Sequence, residues 1–338
     1  MRFMRAAVLG PYSALAKELG LNPVSQLREV GLTPAMLARP DDPIRSDAVV
    51  RLLETSAQRS GCRAFGLRMA EARQMSHFGV MGLLLSHQRT PRDALHAAVR
   101  YMHLLNESVA LHLEETGRTA VIRGEIFTEK QMPTTQATEL LLAVYVQSFR
   151  AIAGHGWQPR TVYFKHAAPE SLEVHYRVFR CRCEFGAEFN GLTCPASDFD
   201  LVNASVDPKF ADYARQFIDA LPGRSSASVV ADVSRLVYLF LPTGQANIKH
   251  VALSLGLNVR TLQRELGEAG ESFSSLLNGV RRKLVGGYLD NPRFTVGQVA
   301  ALLGYRRHGS FTRWFAEEFD STPLEWRRTQ ARPRQRAG

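Results

Sequence analysis

Apolar residues recur three and four positions apart along most of the chain. In residues 91–106, Leu95, Val99, Met102 and Leu105 fall on one face of a predicted helix. Shorter helical patterns occupy 12–19, 23–30, 33–37 and 46–60, and a more uniformly apolar stretch at 138–153 predicts a buried helix. Between these the period shortens. Residues 108–113 and 119–126 read as two strands joined by a turn at 115–118, with Gly117 as its residue of positive φ. A strand at 160–165, a helix at 169–177 and an extended hairpin over 183–192 complete a mixture that predicts an α+β fold.

Beyond residue 228 the pattern is helical throughout, with helices at 228–239, 248–254, 259–268, 272–289, 296–302, 310–318 and 323–329. Their starts are marked chemically. Asn258 is placed to cap the helix that begins at Val259, and Thr295 with Gln298 and Thr322 with Glu325 have the spacing of capping boxes. Pro323 stands at a first helical position, where its missing N–H costs least. Helix breakers and small polar residues at Leu221-Pro222-Gly223-Arg224-Ser225-Ser226 separate the two regions. The expected organisation is an α+β domain at 1–220, a linker at 221–227, an all-α domain of seven helices at 228–331 and a basic tail at 332–338.

Within the all-helical region one pattern occurs twice. Val251-Ala252-x-x-Leu255-Gly256-Leu257 followed by Leu262 and Arg264 returns as Val299-Ala300-x-x-Leu303-Gly304-Tyr305 followed by Phe311 and Arg313. Small Ala252 and Ala300 allow two helices to approach closely. Gly256 and Gly304 end the first helix of each pair in a left-handed turn. Leu262 and Phe311 anchor the next helix, and the residues beside those anchors face outward. This is the layout of a helix-turn-helix, whose second helix enters the major groove of DNA. The outward residues suit base and phosphate contacts, with Arg260, Gln263 and Arg264 in the first copy, and Arg306, Arg307, His308, Thr312 and Arg313 in the second. Arginine pairs with guanine and glutamine with adenine through two hydrogen bonds each.

The helix between the copies carries Phe273, Leu276, Leu277, Val280, Leu284, Val285, Tyr288 and Leu289 as one apolar stripe, with Arg281, Arg282 and Lys283 expected near the other face. At about 1.5 Å per residue it spans roughly 27 Å. That length suits two reading heads about 34 Å apart, one turn of DNA. Gly286 and Gly287 interrupt it, and a bend is expected there.

Charge agrees with an acidic partner. The chain of 338 residues has a formal net charge of +10, and residues 225–338 supply +7 of it, with 16 Lys and Arg against 9 Asp and Glu. There is no phosphate loop, dinucleotide fingerprint, zinc-protease helix or nucleophile elbow, so no enzyme is expected. No apolar run approaches the length of a membrane span, and the run at Ala6 to Leu9 is too short for a secretory signal, so the expected location is the cytoplasm.

From Val251 to Arg328 the chain resembles the AraC/XylS family of bacterial transcription regulators. The resemblance rests on Val251-Ala-Leu-Ser-Leu-Gly-Leu257, Thr261-Leu-Gln-Arg264, Arg281, Val299-Ala-Ala-Leu-Leu-Gly-Tyr305, Ser310-Phe-Thr-Arg-Trp-Phe315 and Thr322-Pro323. It implies recognition helices at 259–268 and 310–318, and base contacts by Arg260, Gln263, Arg264, His308, Thr312 and Arg313. Thr261 falls in the same recognition segment and joins the DNA-binding set, and Phe315 and Pro323 join the structural one. Arg306-Arg307-His308-Gly309 departs from a turn that is usually more acidic or neutral, which implies added phosphate contacts. The first domain resembles the effector-binding domain of the arabinose-binding-type subgroup, through Leu27-Arg-Glu-Val-Gly-Leu-Thr-Pro34, Phe65-Gly-Leu-Arg-Met-Ala70, Gly79-Val-Met-Gly-Leu-Leu84 and Pro91-Arg-Asp-Ala-Leu95.

The expected function is therefore a ligand-responsive, sequence-specific transcription regulator, with activation as the usual sign in the family. Expected partners are promoter DNA, a small-molecule effector, RNA polymerase and a second copy of the chain. The alternatives are a regulator without a small ligand, and a thiol or metal sensor using Cys181, Cys183, Cys194 and His175, whose spacing matches no zinc pattern. No cofactor or metal is expected. Candidate pocket residues are His77, His87, His96, Tyr101, His103 and Trp157, with Arg123, Arg160 and Arg177 as candidate holders of a carboxylate.

Overall fold

Two sheets and, among the described residues, ten α-helices organise the first of two units into which the computed structural model divides, Met1–Gly223 and Arg224–Gly338. The structure describes residues 2–129, 131–219, 226–291 and 294–331. Residues 221–225 of the expected linker and the basic tail at 332–338 lie outside the described residues.

In the first unit, β1 (Phe3–Arg5) and β2 (Pro43–Arg45) pair antiparallel with Met4 opposite Ile44. Between them lie α1 (Tyr12–Glu18), α2 (Pro23–Glu29) and α3 (Pro34–Leu37). The last two open on Asn22 and Thr33, whose side chains accept first-turn N–H groups ahead of a proline. Then follow α4 (Ser46–Ser60), α5 (Phe65–Glu71), α6 (Val80–Ser86), α7 (Pro91–Leu105), β3 (Val109–Thr116), β4 (Thr119–Ile126), α8 (Thr135–Ala153), β5 (Thr161–Phe164), α9 (Glu173–Phe179), β6 (Arg182–Phe185), β7 (Gly191–Pro195) and α10 (Pro208–Asp219).

The five later strands form one sheet in the order β3-β4-β7-β5-β6. α8 lies against β4, with Leu142, Ala143 and Val146 of the helix and Ala120 and Ile122 of the strand buried in one cluster. The expected hairpin over 183–192 does not form. β6 runs parallel to β5, whereas β7 pairs antiparallel with both β5 and β4. Backbone proximity explains the docking of β7: a Cβ on Gly191 would stand 2.2 Å from the Ile122 carbonyl oxygen, so only glycine admits this approach. The helix expected at 169–177 begins later, at Glu173, and ends where Arg180 takes a left-handed conformation at φ 58°. The turn residue Gly117 has φ 61°, as its place between β3 and β4 predicts.

The second unit contains seven helices among the described residues: α11 (Ser226–Phe240), α12 (Ile248–Ser254), α13 (Val259–Glu268), α14 (Phe273–Asp290), α15 (Val296–Leu302), α16 (His308–Phe319) and α17 (Pro323–Ala331). The fold is thus α+β followed by all-α. It holds two cores. Val233, Val237, Leu262, Leu266, Leu276 and Val280 belong to the first, and Val285, Leu289, Val299, Phe311 and Phe315 to the second. The apolar stripe of α14 is therefore divided between two partners. Its first half faces the first core, its second half faces the second, and Leu284 packs on both. At 3.6 residues per turn the two faces differ by roughly a quarter turn. The helix is unbroken through Gly286 and Gly287.

Candidate DNA-binding surface and ligand cavity

The two repeats fold alike. In the first, the Gly256 N–H bonds the Leu253 carbonyl at 2.9 Å and the Leu257 N–H bonds that of Ala252 at 2.9 Å. In the second, Gly304 bonds Ala301 at 2.9 Å and Tyr305 bonds Ala300 at 2.9 Å. This is the Schellman arrangement, which satisfies the last carbonyls of a helix and needs a left-handed residue after it. Gly256 and Gly304 supply that residue at φ 66° and 72°. Gly304 has a second constraint, because a Cβ there would come within 3.2 Å of both Leu241 Cδ2 and the Leu241 carbonyl oxygen.

On α13 the Asn258 side chain accepts the Thr261 N–H at 2.8 Å, which starts the helix. Leu262 and Leu266 are fully buried, and this pins the opposite face outward. Arg260, Gln263 and Arg264 are exposed there, and Thr261 is half-buried beside them. Arg264 lies 3.7 Å from Glu268 in a solvated pair of little energetic weight, so a DNA partner can displace it.

α16 begins at His308, two residues before the expected start, because Arg307 is the last residue in an extended conformation. Phe311, Trp314 and Phe315 are buried in an aromatic cluster with Tyr305, Phe319 and Trp326. Arg306, Arg307, His308 and Arg313 are exposed. Thr312 is half-buried, and its hydroxyl donates to the His308 carbonyl at 3.2 Å. Buried Ala252 and Ala300 sit on α12 and α15. Pro323 is buried at the first position of α17, behind a Thr322–Glu325 capping box.

Arg281 is not on the outer face expected of it. Its Nε donates to the Leu303 carbonyl at 3.1 Å, its Nη1 reaches Asn278 Oδ1 at 3.4 Å, and its guanidinium lies 4.0 Å from the Tyr305 ring centroid. Burial lowers its pKa from the ordinary arginine value. Burial likewise pushes the Tyr305 hydroxyl up to about 12, opposed by the Arg281 charge. Arg281 thus ties α14 to the turn that orients α16. Arg282 and Lys283 are exposed as expected, with Arg282 3.2 Å from Glu318.

The first unit holds a cavity of about 170 Å³ lined by α4, α7, α8 and β4 together with the N-terminal segment. Its wall is largely apolar, with Leu53, Met102, Ile126, Leu141 and Val144 among its residues. Of the candidate pocket residues only His77 lines it; His87, His96, Tyr101 and Trp157 do not, and the side chain of His103 lies outside the described ones. The Trp157 indole instead donates to Asp198 at 2.8 Å, and its ring stacks on Phe149. The candidate carboxylate holders also lie elsewhere. Arg123 is 3.3 Å from Glu114, Arg177 is 2.7 Å from Glu71, and Arg160 is exposed.

Several polar residues of the cavity wall escaped sequence reasoning, Arg5, Arg73, Asn106, Tyr145 and Ser148 among them. Arg73 follows α5, where no periodicity marks it. Tyr145 is the one hydroxyl in the apolar run from Leu140 to Val146, and that is a legible signal.

Cys181 and Cys183 flank the start of β6, Cys194 is buried on β7, and the wholly buried His175 bonds Glu139 at 2.9 Å. Among the described residues no three His, Cys, Asp or Glu side chains converge as a metal-binding group. None of the described helices is long and apolar enough to cross a membrane.

Comparison with known proteins accords with both halves. Residues 20–203 match the family described as the arabinose-binding domain of AraC transcription regulator, N-term, and residues 251–329 match a helix-turn-helix domain. The chain is 28% identical over 329 residues to the HTH-type transcriptional regulator VirS of Mycobacterium tuberculosis, with 96% of each chain covered. It is 22% identical over 315 residues to the Ornithine utilization regulator of Pseudomonas aeruginosa, with 93% of each covered. The crystal structure of the transcriptional regulator CdpR from Pseudomonas aeruginosa aligns with 92% of this chain and 97% of that one, at 18% identity and a TM-score of 0.46. The curated relatives are transcription regulators, not enzymes. With one family match spanning more than half of its length and a second across the repeated helices, the chain belongs to the AraC family of transcription regulators.

Proposed function

We propose that this regulator reads a specific promoter sequence with α13 and α16 in two successive major-groove segments, and that a small molecule bound in the first unit controls its occupancy. One observation carries the reading. Two turns with the same hydrogen bonds leave the same face of each second helix outward, and those faces carry Arg260, Gln263 and Arg264 on α13, and His308 and Arg313 on α16. Arg264 and Arg313 hold corresponding places in the repeat, and each is assigned a base edge; Arg260, Thr261, Gln263, His308 and Thr312 complete the contact set. Arg306 and Arg307 precede α16 and are assigned to phosphates. The unbroken α14, roughly 27 Å long, sets the spacing of the two heads. The same proposal includes a cytoplasmic location, transcription activation through contact with RNA polymerase, and pairing with a second copy.

The test is quantitative footprinting on sites recovered from a genome-wide binding map. Arg264→Ala and Arg313→Ala each weaken specific binding by about 1–3 kcal/mol and leave the melting temperature unchanged, because both side chains are exposed. Wild-type affinity in both variants sinks the assignment of α13 and α16. Diffuse occupancy of the genome by the native protein sinks sequence-specific recognition itself.

A further inference from the structure

The chemistry of the cavity in the first unit identifies what class of molecule it is built to take. Its described wall contains no aspartate or glutamate. It does contain Arg73, whose Nη1 donates to the Val8 carbonyl at 3.0 Å and whose guanidinium carbon lies 5.1 Å from the Phe78 ring centroid. The Nε of Arg73 is buried and has no hydrogen-bond partner, and no carboxylate pairs with this side chain among the described residues. The other arginine in the wall, Arg5, is paired with Asp41. Tyr145, on the α8 side of the wall, has its hydroxyl buried without a partner. Burial and the nearby Arg5 charge push the Arg73 pKa down to about 10, which leaves it cationic at neutral pH.

A buried charge without a counter-charge is costly, as is a buried donor without an acceptor. Both costs disappear if an anion with acceptor oxygens enters. A carboxylate matches the fork of a guanidinium and still has lone pairs for a phenol. Apart from Arg5, His77, Asn106 and Ser148 the remainder of the wall is aliphatic and aromatic, so most of the rest of the molecule must be apolar. An engineered apolar cavity of about 150 Å³ holds benzene, so about 170 Å³ takes a phenyl ring or a short acyl chain.

We propose that the effector is a compact apolar monocarboxylic acid, with its carboxylate on Arg73 and Tyr145 and its body among Leu53, Met102, Leu141 and Val144. This rests on the reading of the first unit as the effector-binding one. It also argues against a basic amino acid such as ornithine, whose ammonium groups would face two arginines and no carboxylate in the described wall.

The experiment is isothermal titration calorimetry of the full chain with octanoate and phenylacetate, each against its neutral amide. At least one acid binds, at least tenfold more tightly than its amide. Arg73→Met weakens that acid roughly 10- to 100-fold, in line with the loss of a charge-assisted contact. Arg73→Lys, which keeps the charge but not the fork, falls between. Tyr145→Phe keeps the ring in place and weakens binding several-fold, so it tests the site even if Arg73→Met does not fold. The proposal is overturned if neither acid binds, if an amide binds as well as its acid, or if a folded Arg73→Met variant keeps wild-type affinity. The same titration repeated on promoter DNA separates the two readings. An acid that binds at Arg73 without changing DNA occupancy upholds the site and removes its role as a switch. Specific DNA binding with no acid bound removes the acid alone.

Discussion

Replacing Arg281 by methionine should loosen the second helix-turn-helix unit and spare the first. Methionine keeps most of the aliphatic volume but loses the bond from Nε to the Leu303 carbonyl and the contact with the Tyr305 ring. A hydrogen bond from a charged donor contributes about 1.5–3 kcal/mol, and the carbonyl of the fully buried Leu303 would be left without this donor. A partly desolvated cation–π contact adds about 1–2 kcal/mol. The cost of desolvating the guanidinium, visible in its lowered pKa, is recovered on substitution and offsets part of this sum. The net expectation is a loss of about 2–3 kcal/mol, or roughly 30- to 150-fold at 1.4 kcal/mol per decade. Among the described residues the two cores share only Leu284 of α14, so the loss should stay in the second. Amide hydrogen exchange measured residue by residue on the full chain resolves this. Exchange in α15 and α16 should accelerate by that factor, with α12 and α13 near their native rates. Equal acceleration in α13 would show that the two cores unfold together. Unchanged rates in α16 would show that Arg281 does not hold the turn.

Three further outcomes follow from the same geometry. Gly287→Ala should stabilise the protein by about 0.5–1 kcal/mol in chemical denaturation, since the position is mid-helix and a Cβ there meets nothing within 4 Å; destabilisation would mean that the glycine serves a packing or bending role. Gly304→Ala should cost about 1–3 kcal/mol, because it adds a clash with Leu241 to an unfavourable left-handed φ of 72°, and a neutral result would show that the turn relaxes freely. The double substitution Cys181→Ser with Cys183→Ser should leave effector-dependent DNA occupancy intact, and loss of that response would bring back the thiol-sensing alternative.

Most of the second unit was legible because its signals are local. The bounds of α12, α13 and α15 coincide with the helices expected from periodicity and capping, since Asn258 and Thr295 bond to N–H groups three residues on in any context that forms a helix. The start of α16 was less legible, as it has no side-chain cap and depends on the conformation of Arg307. In the first unit β3, β4 and the long helices were readable, whereas α5, α6 and α10 were not. The first two of these open without a side-chain cap, whereas the equally short α12 and α15 open on Asn247 and Thr295.

What the sequence by itself determined is the division into an α+β and an all-α part, the doubled helix-turn-helix, and the family. Each rests on spacings of residues near one another in the chain. Only the tertiary structure decided that β7 sits between β4 and β5 and not beside β6, that Arg281 turns inward to the Leu303 carbonyl, and that Arg73 and Tyr145 share one apolar cavity. Those arrangements depend on residues up to 76 positions apart, as in the pairing of Thr119 with Pro195. Whether a buried charge or hydroxyl finds a partner is set by what packs against it, and no periodicity along the chain records that.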